Sequence, residues 1–107
     1  MGNELKPDKW VIVAYDSDRK TIYKVLAGWS GGYLTGDSWR MNSGITKVEE
    51  DGGDYIFHGH SSTVYRCNKK AEGMTAMTAA VLKQAQDQMK GGVEKIGVKD
   101  FLRQWGI

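Results

Sequence analysis

Gly28-Trp29-Ser30-Gly31-Gly32-Tyr33-Leu34-Thr35-Gly36-Asp37-Ser38-Trp39-Arg40-Met41-Asn42-Ser43-Gly44-Ile45 is the stretch on which the reading of the fold turns. It holds two of the four tryptophans and five of the fourteen glycines, and Asp37 and Arg40 are its only charges. The residues on both sides of it alternate in the manner of strands. Two interpretations follow. Glycines between strands permit bends and bulges in a small sheet, with the aromatics filling its core. Equally, glycines let backbone approach a flat ligand on which Trp and Tyr stack, while an arginine meets a phosphate or carboxylate.

Before this stretch, residues 10–15 (Trp-Val-Ile-Val-Ala-Tyr) form a β-branched and aromatic run that reads as a strand. The polar cluster 16–20 suits a turn. Residues 21–29 read as its hairpin partner, with Tyr23, Val25, Ala27 and Trp29 on one face and Ile22, Lys24 and Leu26 on the other. Residues 1–9 are polar and read as a tail.

Inside and after the stretch, short extended pieces are expected at 33–35 and 38–42. Residues 45–50 alternate and run into Asp51-Gly52-Gly53-Asp54, a clear hairpin signal. Residues 55–58 return, Gly59-His60-Ser61-Ser62 turns, and 63–67 is a further strand. The composition then changes. Residues 75–90 lack Gly and Pro and are rich in helix formers. Met74, Met77, Val81, Ala85 and Met89 share a stripe, with Leu82 beside it. A short second helix is expected at 99–105.

The expected fold class is therefore α+β. Five or six short strands form an antiparallel meander, bent toward a half-barrel. One amphipathic helix packs it, followed by a short terminal helix. The 107 residues fit one domain: a tail at 1–9, a sheet at 10–67 and a helical part at 74–105.

Composition excludes several classes of function. Net charge is only +2, without the basic stripe of a duplex-binding protein. A single cysteine, Cys67, permits no intrachain disulfide and fits a reducing compartment. No apolar run approaches the ~18 residues of a membrane span, and the N-terminus lacks a signal-peptide core. A cytoplasmic location is expected. No Gly-x-Gly-x-x-Gly and no Gly-Lys-Ser/Thr occurs, so no cofactor is expected from those fingerprints.

The candidate contact residues are Trp29, Tyr33, Trp39 and Arg40. His58 and His60, one residue apart, are candidate metal ligands or an acid–base pair. Cys67 is near enough to join them across a hairpin, though a zinc site normally needs three or more protein ligands. Gly36-Asp37-Ser38 resembles the nucleophile block of the Gly-Asp-Ser-Leu hydrolases. Trp39 replaces the leucine, however, no Asp-x-x-His follows, and the chain is too short for that fold.

The segments 25–34, 37–40 and 43–45, with 59–61 and 64–67, resemble short uncharacterised proteins of bacterial and phage genomes. The resemblance implies a small stand-alone protein, derived from a mobile element, that binds a host or partner molecule.

The expectation is thus a non-enzymatic binding module. Its segment 28–45 contacts a protein partner or a small planar or phosphorylated ligand, with Trp29 or Trp39 as anchor and Arg40 orienting a negative group. A small hydrolase or metal-dependent enzyme centred on His58 and His60 is the alternative. A self-associating structural protein, dimeric through an open sheet face or edge, is the third. Among the aromatics, the expectation is that Trp29 points inward and that Trp39 and Arg40 lie at the surface.

Overall fold

The computed structural model describes residues 3–17, 20–32, 36–89 and 92–106, and only the backbone of residues 17, 31, 32, 36 and 37. Eight strands and two helices appear in this order: β1 (Glu4–Leu5), β2 (Lys9–Ser17), β3 (Lys20–Gly32), β4 (Gly36–Met41), β5 (Lys47–Asp51), β6 (Asp54–His58), β7 (Val64–Asn68), α1 (Ala76–Gln88), β8 (Val93–Ile96) and α2 (Val98–Trp105). The class is α+β, as the alternation patterns require. The strands do not form one meander, however. They divide into two four-stranded sheets, ordered β1-β7-β6-β5 (sheet I) and β4-β3-β2-β8 (sheet II).

Within each sheet the pairing is local where turn chemistry is strong. β2 and β3 pair antiparallel from Lys9↔Gly28 to Ser17↔Lys20. β5 and β6 pair up to Asp51↔Asp54, and Gly52 closes their turn at φ 59°, a backbone state that favours glycine. β3 and β4 pair from Leu26↔Met41 to Trp29↔Ser38, then shift register before Gly32↔Gly36. That irregularity is the bend which the glycines of the opening stretch suggested.

The sheets meet face to face. Trp10, Ile12, Val25 and Ala27 of sheet II pack on Tyr55, Phe57, Tyr65 and Cys67 of sheet I, and Val98 and Phe101 of α2 complete this core. The Trp10 ring lies 5.5 Å from Phe57 and 6.1 Å from Tyr55, and its indole N–H donates to the Asn68 carbonyl at 2.8 Å. A second core lies on the opposite face of sheet II, where Val11, Val13, Leu26 and Val93 pack under Leu82 of α1. β2 is thus covered on both faces, and this explains why residues 10–14 are apolar without interruption.

Three expectations need correcting. Residues 93–96, inside the part read as helical, form β8 and pair antiparallel with β2 from Ile12↔Ile96 to Tyr15↔Val93. Glu4 and Leu5, inside the polar tail, pair parallel with β7. The α1 stripe is also rotated. Thr78 and Leu82 are buried, Met74, Val81 and Ala85 are half-buried, and Met77 and Met89 are exposed. The rotation follows from Gly28, which has no side chain to keep Thr75 and Thr78 away from β3. Thr75 caps α1: its hydroxyl accepts from the Thr78 N–H at 3.1 Å, and the Thr78 hydroxyl accepts from the Thr75 N–H at 2.9 Å. The expected extended piece at 33–35 lies outside the described residues. Among the described residues no helix is long and apolar enough to cross a membrane.

Candidate functional site

β4 forms one edge of sheet II, and its alternation decides what Trp39 and Arg40 can do. Residues paired across an antiparallel ladder share a face. Trp39 and Met41 pair with Gly28 and Leu26, so they lie on the α1 side. Arg40 pairs with Ala27, which packs in the core between the sheets, so Arg40 lies on the other side. The two neighbours therefore open onto different clefts.

The first cleft, of ≈ 460 Å³, runs between α1 and sheet II. Tyr15, Trp39, Met41, Met77 and Val81 supply apolar wall, and Gln84 and Gln88 supply amides. Trp39 is 43% exposed. The Lys24 ammonium sits 5.0 Å from the centre of the Tyr15 ring, close enough for a cation–π contact.

The second cleft, of ≈ 400 Å³, lies between the end of β4 and the start of β7 and is polar. Arg40 is the cation on this face, Lys24 borders the cleft while its ammonium lies over Tyr15, Ser43, Ser61, Thr63 and Tyr65 bring hydroxyls, and no carboxylate is among its described lining residues. Burial raises the Tyr65 phenol pKa, and the Arg40 charge works in the opposite direction. Arg40 makes no ion pair with any described residue. Asn42 ends the strand. Its Oδ1 accepts from the Val25 N–H at 2.9 Å, while its buried Nδ2 has no partner among the described residues.

The remaining candidates separate. Trp29 is half-buried against the inter-sheet core, and its indole N–H donates to the Lys6 carbonyl at 2.9 Å. With Asp8, which accepts from the Ser30 N–H at 3.0 Å, it holds the segment before β2 in place. Tyr33 and the side chain of Asp37 lie outside the described residues.

His58 is on the outer face of sheet I, its Nε2 paired with Glu49. His60 is in the loop after β6, where its N–H donates to Ser43 Oγ at 3.0 Å and its ring faces Gly44. Cys67 is fully buried on the inner face of sheet I, and desolvation pushes its thiol pKa upward, away from thiolate chemistry. These three do not converge, and the described residues contain no cluster of three or more potential metal ligands. Ser38, on the edge of sheet II, has no described hydrogen bond to either histidine.

Alternation along residues 38–42 is enough to show that Trp39 and Arg40 diverge and that Met41 accompanies Trp39. Tyr15, Met77, Thr63 and Tyr65 join the clefts through pairings that local sequence does not reveal. Comparison with protein families, with curated proteins and with solved structures finds no match.

Proposed function

We propose that the chain is a non-enzymatic binding module that holds a partner protein at β4, with Trp39 as its anchor. The exposure of Trp39 beside Met41 and Met77 supports this reading. Among the described residues, the other large hydrophobic side chains exposed to this degree are Met77 and Met89. Met77 lines the same cleft as Trp39. A Trp side chain spans up to about 250 Å², so an exposure of 43% leaves roughly 100 Å² uncovered. At ~25 cal/mol per Å², covering that surface returns roughly 2–3 kcal/mol, the scale of one interface hot spot.

Affinity capture with wild type and Trp39→Ala, at matched melting temperature, tests the reading. A specific partner held by wild type should be lost with Trp39→Ala and kept with Lys83→Ala on the exposed side of α1. A partner retained equally by Trp39→Ala would overturn the assignment.

A further inference from the structure

We propose that β4 takes up an extended partner segment as a further strand of sheet II, and that this segment alternates apolar with acidic side chains. The proposal rests on the binding reading above and specifies the partner's chemistry. It starts from the backbone. The Asn42 N–H donates to the Val25 carbonyl at 3.2 Å and the Val25 N–H donates to Asn42 Oδ1, so Val25 and Asn42 turn their backbone polar groups toward each other, as in the hydrogen-bonded pair of a ladder. Hydrogen-bonded pairs recur every second residue in an antiparallel ladder. Ala27–Arg40 and Trp29–Ser38 are then also of this kind, and Ser38 and Arg40 turn their N–H and C=O toward β3. Trp39 and Met41 turn theirs away from it. No described strand pairs with them.

The other sheet edges differ. β1 has two residues, and β8 is a four-residue strand carrying Glu94 and Lys95. β5 reads Lys-Val-Glu-Glu-Asp, the charged composition that discourages strand addition. β4 reads Gly-Asp-Ser-Trp-Arg-Met, with two charges in six residues against four in five for β5.

The two clefts then set the partner's pattern. Side chains of an added strand alternate between faces. Those on the α1 face lie beside Trp39 and Met41 at the mouth of the apolar cleft. Those on the other face lie beside Arg40, in a cleft with several hydroxyls and no carboxylate among its described lining residues. Charge complementarity therefore calls for Asp or Glu at these alternate positions. Main-chain bonds to Trp39 and Met41 would provide attachment, and the two clefts would provide selection.

A phage-displayed library of random octapeptides, panned against the full chain, tests this. Enriched peptides should alternate apolar residues with Asp or Glu. Panning on Arg40→Glu should replace those acids by Lys or Arg. N-methylating the peptide amides that face β4 should weaken binding on the order of ten-fold or more, since ladder bonds are lost. Amide hydrogen exchange should show Trp39 and Met41 exchanging faster than Arg40 in the free protein, and slowing when peptide is bound. Peptides that enrich without alternation, tolerate N-methylation, yet fail on Trp39→Ala would overturn strand addition and leave the Trp39 cleft standing. Peptides that bind Trp39→Ala unchanged would overturn both. No enrichment, or concentration-dependent protection of the two amides without peptide, would overturn the proposal, the latter in favour of self-pairing.

Discussion

Replacing Gly28 by alanine should separate α1 from sheet II at its N-terminus. A Cβ at this position would lie 2.8 Å from Thr78 Cγ2, 3.0 Å from Thr75 Oγ1 and 3.1 Å from Thr75 Cγ2. Neither threonine can yield cheaply. Both are short and β-branched, Thr78 is buried, and together they form the cap of α1. Overpacking of this kind costs ~1–3 kcal/mol, and disturbing the cap adds ~0.5–2 kcal/mol. Against this, alanine in a strand gains ~0.5–1 kcal/mol over glycine through chain entropy. The steric terms win, and a net loss of about 2 kcal/mol is expected. Urea unfolding followed by far-UV circular dichroism should show a lower midpoint at unchanged slope. Thr78→Ser removes the closest atom and keeps the capping hydroxyl. In the Gly28→Ala background it should recover ~1 kcal/mol as a coupling energy. Stability of Gly28→Ala within ~0.5 kcal/mol of wild type, or strict additivity of the pair, would refute the reasoning.

The other expectations are quickly tested. Trp10→Ala should cost ~3–5 kcal/mol and Trp39→Ala less than ~1 kcal/mol in the same assay, because the first ring is fully buried and the second half exposed. Cys67 should resist an aromatic disulfide reagent in the native state and react once urea unfolds the chain. Alkaline pH should destabilise the fold. The Cys67 thiol is raised from 9.0, and the Tyr15 and Tyr65 phenols are raised from 10.0. The unfolded chain therefore releases these protons first. Stability from these groups is complete below pH ~9 and falls above it, with Cys67 alone giving up to ~1.4 kcal/mol per pH unit. Arg66→Met should leave Glu4, Asp51 and Asp54 repelling one another across sheet I. A lower melting temperature at low salt, recovering in high salt, with faster amide exchange at Leu5, would confirm that role.

Where a feature depends on neighbours in the chain, the residues were enough to read it. Alternation in residues 21–29 placed Val25 and Ala27 on a different face from Leu26, and the two faces lie in different cores. Asp51-Gly52-Gly53-Asp54 announced its hairpin because a two-residue turn needs a residue tolerant of positive φ. α2 was visible through Phe101, Leu102 and Trp105. Within the candidate site, Trp39 and Arg40 stood out by composition, and the register places them on opposite faces of β4.

The α+β class, the hairpins and the helices are properties of local pattern, because turn chemistry and side-chain periodicity act over a few residues. The division into two sheets, the return of residues 93–96 beside β2 and the pairing of Glu4 with Val64 are not. These depend on contacts between distant segments, where many apolar faces compete for the same cover and only the assembled packing selects among them. The same holds for the two tryptophans of the opening stretch. Alternation puts Trp29 on the face of Val25 and Ala27, and Trp39 is expected at the surface, but what covers each ring is not local. Trp29 is covered because sheet I and the segment before β2 close over its face, whereas Trp39 stays open because the chain places no described strand beyond β4.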